Sequence, residues 1–166
     1  AAGVGRSERG GRIAGGGVNS LSNSSDASVR KFLTAILEGS PPTNNDLVRT
    51  LDELVSAYHD TPDSFDESND KEAPAGDYDR VSALLAKRFP DFGFYAVADP
   101  IDMKLEAPGV GDAIDDLADI VLDMQETIWR FENVSEADGN WYFRFSYYHW
   151  GIHIRALSLY LCHLNS

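Results

Sequence analysis

The chain has 166 residues, a hydrophobic content of 43% and a formal net charge of −13 at pH 7. A chain of this length buries roughly 70% of the surface that its unfolded form exposes, which predicts one domain with a single core. The negative charge repels phosphate backbones and anionic lipids, so we expect neither a nucleic acid nor a membrane surface as a partner.

Cys162 is the single cysteine, so no disulfide can form within the chain, as is typical of proteins from a reducing compartment. No run of 18 or more apolar residues is present, and the first thirty residues lack the apolar stretch of a signal peptide. These features favour a soluble cytoplasmic protein.

The N-terminal part of the chain divides into a tail and two helices. Residues 1–25 hold seven glycines and no aromatic residue, which predicts a disordered tail ahead of a single domain at 26–166. A helix is predicted over about 26–38, because Asp26 is a suitable N-cap and Gly39 a suitable stop. A second helix is predicted over about 45–60, where leucines recur at helical spacing.

The middle of the chain is expected to be less regular. Residues at about 60–76 are acidic and rich in turn-forming residues, which predicts an exposed loop, followed by a third helix over about 77–88. Phe94-Tyr95-Ala96-Val97 has the composition of a strand. With no second strand predicted, it is interpreted as an extended segment over the core, and Gly109-Val110-Gly111 as a turn.

The fourth predicted helix, at about 112–131, is amphipathic. Its apolar residues fall on one face at 100° per residue, and we expect the acidic residues on the opposite face to lie in water. These acidic residues are Asp112, Asp115, Asp116, Asp119, Asp123 and Glu126.

The last predicted helix, from Ser135 to about Leu164, carries apolar residues on two opposite faces. A helix of this kind is usually buried between neighbours, so we expect it at the centre of the fold. The face residues are Trp141, Phe145, Tyr148, Ile152 and Leu159 on one side, and Phe143, Trp150, Ile154, Leu157 and Leu161 on the other. The predicted fold is an all-α bundle of about five helices with a central C-terminal helix.

Several motifs in residues 94–164 are similar to a known family. They are Tyr95, Asp99-Pro100, Asp115-Asp116-Leu117-Ala118-Asp119, and His149-Trp150-Gly151-x-His153. In these features the chain resembles the bacterial domain-of-unknown-function family numbered five thousand and sixty-three. The resemblance implies a small helical bacterial protein, and it implies no catalytic residue because the family brings no established activity.

His149 and His153 are four residues apart, so both imidazoles lie on one face of the last helix. Metal sites in helical bundles use this spacing, and Asp115 and Asp119 are the acidic residues that an antiparallel neighbouring helix would bring to them. The alternative is a structural pair of half-buried histidines that are hydrogen-bonded to tyrosines or carboxylates. The sequence contains neither Glu-x-x-His nor His-Glu-x-x-His, and the structural pair is favoured.

Arg144 and Arg155 are cations on a mostly apolar helix. Ion pairs with the acidic helix are the favoured interpretation, Arg144 with Glu126 and Arg155 with Asp115 or Asp119. Alternatively, a small anionic ligand binds among His149, His153, Arg155, Arg144 and Tyr95.

No nucleophile elbow, phosphate loop, dinucleotide fingerprint or paired-cysteine motif is present, so no cofactor is predicted. The favoured function is a non-enzymatic interaction or accessory module with a protein partner. The alternatives are a helical bundle that binds a small ligand or a metal around His149 and His153, and an acidic, immunity-type inhibitor of a basic partner.

Overall fold

The computed structural model describes residues 24–98, 101 and 108–164, which form six helices and a two-stranded sheet. The helices are α1 (Ser24–Leu37), α2 (Asn44–Asp60), α3 (Tyr78–Arg88), α4 (Ala113–Asn133), α5 (Glu136–Phe145) and α6 (Tyr147–Leu164). The strands are β1 (Phe94–Val97) and β2 (Gly109–Asp112). The predicted all-α class is confirmed. The predicted tail lies outside the described residues, apart from Ser24 and Ser25, which begin α1.

Four of the described helices begin at a capping side chain, which is why the sequence indicates where they start. The cap oxygen accepts a hydrogen bond from a backbone N–H of the first turn, which would otherwise lack a partner. The capping residues are Thr43 for α2, Asp77 for α3, Asp112 for α4 and Ser135 for α5.

The core lies between α4 and the helices around it. α4 packs against α1, α3, α5 and α6, while α2 packs against α1 and α6. The largest fully buried side chains come from all six helices, and Trp150, Phe32, Phe143 and Met124 are among them. None of the described helices combines the length and the apolar character needed to cross a membrane.

The last predicted helix is two helices in the structure, because the chain bends at Ser146. The Ser146 hydroxyl donates to the carbonyl of Tyr142, 2.8 Å away, and the Ser146 N–H donates to the same oxygen. A serine hydroxyl that bonds back to the fourth preceding carbonyl often bends a helix. The ψ of −2° at Ser146 departs from the helical value of about −42°, so α5 ends here and α6 starts at Tyr147.

The prediction that both apolar faces of this helix are buried is wrong for one of them. The face with Trp150, Ile154 and Leu157 is fully buried. On the other face, Tyr148, Ile152 and Leu159 are 68%, 69% and 64% exposed. This happens because α6 packs against α2 and α4 on one side, while its other side borders an open groove next to β1.

β1 is a paired strand, which corrects its interpretation as an unpaired extended segment. It pairs with β2 in antiparallel register, with Tyr95 opposite Gly111. The glycines of β2 suggested a turn, but Gly111 has a packing reason to lack a side chain. A Cβ there would lie 2.6 Å from the Tyr95 ring, so the strand can pass this ring only with glycine.

Residues 61–77, between α2 and α3, form no helix or strand, and their polar side chains attach them to α5. Asp66 accepts a hydrogen bond from the Ser135 hydroxyl at 2.6 Å, and Asn69 donates to the buried Asp138 carboxylate at 3.0 Å. The acidic loop therefore lies along the start of α5.

Gly139 of α5 lies against the ring of Phe131 of α4. A Cβ at this buried position would lie 2.5 Å from the base of the Phe131 ring. We expect Gly139→Ala to lower the free energy of unfolding by about 1–3 kcal/mol, the usual cost of overpacking. Urea denaturation measures this, and an unchanged midpoint would show that the Phe131 ring moves aside freely.

Candidate metal centre

The acidic side of α4 faces the two histidines of α6. Asp123 contacts His149 and Asp116 contacts His153, so the order of contacts is opposite along the two helices, which run antiparallel. The four-residue spacing of the histidines puts both rings on one side of α6, with centroids 4.8 Å apart. Packing of α4 against α6 thus brings two imidazoles to a row of carboxylates.

One nitrogen of each histidine is held by its own carboxylate. His149 Nδ1 lies 2.8 Å from Asp123 Oδ2, and His153 Nδ1 lies 2.6 Å from Asp116 Oδ1. In a neutral imidazole an Nδ1–H that donates to a carboxylate leaves Nε2 as the free acceptor. Both rings are therefore fixed in orientation with their second nitrogen available.

The free nitrogens turn toward a third carboxylate, that of Asp119. Its Oδ2 lies 3.8 Å from His149 Nε2 and 3.4 Å from His153 Nε2, and one donor atom from each of the three residues fits within 4.8 Å. Tetrahedral zinc, with ligand distances of about 2.0–2.1 Å, separates its ligand atoms by roughly 3.3 Å. The three residues are accordingly close enough together to act as ligands of one metal ion.

Two tyrosine hydroxyls donate hydrogen bonds to the carboxylates that contact the histidines. The Tyr95 hydroxyl donates to Asp116, and the Tyr142 hydroxyl donates to Asp123 at 3.4 Å. Burial and the neighbouring acids raise the pKa of both tyrosines above the usual value, so both hydroxyls stay protonated and can donate. The site thus contains two similar chains of contacts, each running from tyrosine to aspartate to histidine.

The electrostatics of the site favour a cation. Burial raises the pKa of Asp119, and the nearby histidines only partly oppose this effect. Burial likewise raises the pKa of Asp123, against the hydrogen bond from His149. Taking carboxylates out of water penalises their ionised form, and a bound cation would remove that penalty.

His153 gives the metal-free protein a dependence of stability on pH. Its pKa is raised, chiefly by the hydrogen bond to Asp116 and against the effect of burial. The resulting stabilisation is complete below the unfolded pKa of about 6.5 and is lost as pH rises through the higher folded value. We expect His153→Gln to cost more free energy of unfolding at about pH 6 than at about pH 9. A constant difference across urea titrations at these two pH values would contradict this.

The structure places the other predicted metal ligand, Asp115, away from the histidines. Its carboxylate accepts a hydrogen bond from the Tyr78 hydroxyl of α3, and it does not belong to the cluster of Asp119, His149 and His153. Tyr95 lies next to the site, through Asp116.

Neither predicted arginine pair forms among the described residues. Arg144 donates to the backbone carbonyls of Tyr58 and Thr61, at 3.1 and 3.0 Å, where it secures the end of α2. Glu126 pairs instead with Arg130 of its own helix at 2.7 Å. Arg155 is exposed on the outer face of α6, away from the acidic face of α4.

Asp116, Asp123 and Tyr142 are site residues that sequence reasoning missed. The acidic stripe of α4 was expected to face water, but Asp116 and Asp123 are only 7% and 9% exposed. The sequence did indicate these carboxylates, because Asp116, Asp119 and Asp123 recur at the helical spacing that His149 and His153 also follow. The expectation failed because the stripe lies at the edge of the α4–α6 contact, where polar side chains of the two helices meet.

Comparison with known proteins informs the fold alone. No family model matches the chain, and no curated protein matches it. The structure is similar to the crystal structure of protein BF1032 from Bacteroides fragilis, with a TM-score of 0.64 and 16% sequence identity, over 88% of this chain and 94% of that one. The resemblance to the family numbered five thousand and sixty-three stays a prediction.

Proposed function

We propose that this protein binds a divalent transition-metal ion through His149 Nε2, His153 Nε2 and the Asp119 carboxylate. The observation that carries the proposal is that the two nitrogens of each imidazole have different neighbours. Nδ1 is occupied by a separate carboxylate, and Nε2 is left facing Asp119. Histidines that ligate metals generally bond through their other nitrogen to a carboxylate or carbonyl, which fixes the ring and makes it a stronger ligand.

A purely structural pair of histidines explains this geometry less well. Such a pair would satisfy its nitrogens with hydrogen bonds, yet Asp119 lies 3.4 Å from one Nε2 and 3.8 Å from the other. These separations are longer than a charged hydrogen bond and close to the separation of two ligands on one ion. The central carboxylate is thus placed for a shared cation more than for either imidazole.

The chemistry of the three ligand groups restricts which metal ions can bind. Two imidazoles and one carboxylate suit Zn²⁺, Fe²⁺ or Mn²⁺, and they leave coordination positions for water or a ligand. A bound ion of this kind would supply Lewis acidity to a water molecule at the open position. Asp116 and Asp123 would hold the two rings, and Tyr95 and Tyr142 would hold the two carboxylates.

Replacement of the shared carboxylate tests the proposal. Wild-type protein, freed of metal, is titrated with Zn²⁺ in competition with a chromophoric chelator. We expect one ion per chain, and a loss of affinity in Asp119→Asn greater than tenfold. Asp115→Asn is the matched control on the same helix: it removes the same charge without removing a ligand, and it should lose clearly less affinity. Equal affinities of the wild type and Asp119→Asn would contradict the proposal.

The carboxylates behind the histidines should also affect affinity. We expect Asp116→Asn and Asp123→Asn each to weaken zinc binding by roughly 10–100-fold, the usual cost of losing such a partner, because each histidine loses its fixed orientation and part of its basicity. The same competition titration measures both variants. An effect no larger than that of Asp115→Asn would show that these contacts serve the fold only.

The other functions expected from the sequence stay predictions. An interaction module finds support in the exposed apolar side chains of α6, and an acidic inhibitor finds support in the net charge of −13. Neither function is supported by a group of side chains as specific as the histidines and carboxylates between α4 and α6.

A further inference from the structure

A groove of about 920 Å³ runs along the exposed side of α6 and under β1. Small residues line part of it, and tyrosine rings frame it. The small residues are Ala96, Ala98, Gly151 and Ala156, and the rings belong to Tyr95, Tyr147, Tyr148 and Tyr160. The ring of Tyr147 lies over Gly151, and a Cβ there would come within 2.8 Å of that ring. The shape suits an apolar body of small-molecule size.

One formal cation lies among these apolar side chains. Arg155 is exposed, and in the described ranges no residue forms a hydrogen bond or ion pair with it. By contrast, carboxylates engage Arg30 and Arg130, and backbone carbonyls engage Arg144. In a protein with a net charge of −13, an arginine without a partner beside an apolar groove provides a local anion-binding group.

We propose that this groove binds a small apolar carboxylate, with the hydrocarbon or aromatic body against Ile152 and Leu159 and the carboxylate on Arg155. The exposed apolar side chains provide the affinity, because covering them removes apolar surface from water. Arg155 provides the selectivity, because it is the group that can distinguish an anionic head from a cationic one of the same size.

A second copy of the chain is a poorer occupant of this surface. Phe145, Tyr148, Ile152, Arg155 and Leu159 follow alternating steps of three and four residues, as in a helix–helix seam. An antiparallel pairing of two such seams, centred on Ile152, would set Arg155 of each copy against the apolar seam of the other, opposite Tyr148. No carboxylate lies within ion-pair distance of Arg155 among the described residues, so the dimer would bury each arginine without a counter-ion, and that cost opposes it.

The groove is a site separate from the proposed metal centre, and its occupancy does not require a metal. They adjoin at Tyr95, whose ring lines the groove and whose hydroxyl donates to Asp116, and at Tyr148, whose ring lies 6.4 Å from that of His149. Failure of metal binding and failure of carboxylate binding are therefore independent results.

The test compares two ligands that share a tail and differ in the sign of the head. Metal-free protein is titrated calorimetrically with decanoate and with decyltrimethylammonium, both below their micellar concentrations. We expect decanoate to bind one per chain with a Kd below about 1 mM. The cationic ligand should bind at least about tenfold more weakly, although the net charge of the protein would favour it.

Charge reversal at Arg155 gives the decisive comparison. Arg155→Glu should weaken decanoate binding by about tenfold or more and should improve binding of the cationic ligand. Arg49→Glu, the same change on the exposed side of α2, should leave both affinities unchanged. Ile152→Asp, at an exposed position that the fold tolerates, should abolish the binding of both ligands.

Three results would overturn the proposal. The first is the same decanoate affinity in wild type and Arg155→Glu. The second is the absence of saturable decanoate binding to wild type. The third is a dimer in light scattering that Ile152→Asp dissociates, because the groove would then be covered by a second copy.

Discussion

Loss of either histidine should remove most of the metal affinity of this protein. We expect His149→Ala and His153→Ala each to weaken zinc binding by more than the roughly 10–100-fold that loss of a supporting carboxylate costs, since each removes a direct ligand. The two histidines are the only nitrogen ligands of the three-residue cluster. With one of them gone, an imidazole and a carboxylate remain, which are too few for a closed site. Competition titration with a chromophoric chelator measures the change.

His59→Ala is the control for the histidine variants. His59 is exposed on α2 and does not belong to the cluster of Asp119, His149 and His153, so its loss should leave zinc affinity unchanged. Circular dichroism spectra of all three variants should match the wild type. If His149→Ala or His153→Ala binds zinc as tightly as His59→Ala, the cluster is not where the ion binds.

The largest effect on stability is expected at Trp150. The side chain is fully buried, stacks on Phe143 with ring centroids 5.0 Å apart, and lies edge-on to Tyr147 at 4.7 Å. Its indole N–H donates to the Phe143 carbonyl at 3.1 Å. Trp150→Ala should lower the free energy of unfolding by about 3–5 kcal/mol, because it leaves a cavity between α2, α5 and α6. Urea denaturation of the metal-free protein measures the loss.

Trp141→Ala is the comparison for this experiment. Trp141 is only half-buried and stacks on Phe145, which is itself 55% exposed, so its removal should cost clearly less than that of Trp150. Equal losses at the two positions would mean that α5 contributes to the core as much as α6 does.

The sequence predicted the helices well, because their signals are local. Caps such as Thr43, Asp112 and Ser135 and the spacing of apolar residues fix where each helix starts and which face it buries. The bend at Ser146 and the pairing of β1 with β2 were missed. Both depend on a contact that composition does not reveal: a serine bonding back along its own helix, and a glycine passing under a tyrosine ring.

The candidate site was predictable only in part. The spacing of His149 and His153 places the two imidazoles together, and antiparallel packing brings Asp119 to them. Which carboxylates meet the rings depends on the rotation of α4 about its own axis, and helical periodicity defines that rotation too coarsely. A shift of one residue separates Asp115, which contacts Tyr78, from Asp116, which holds His153.

The position of a bound zinc ion tests the proposed metal centre most directly. Crystals of the protein grown with Zn²⁺ are measured at the zinc absorption edge, so that anomalous scattering locates the metal. We predict a strong peak between His149 Nε2, His153 Nε2 and the Asp119 carboxylate, about 2.0–2.2 Å from each ligand atom. A peak at another place on the chain, or none at this cluster under saturating zinc, would contradict it.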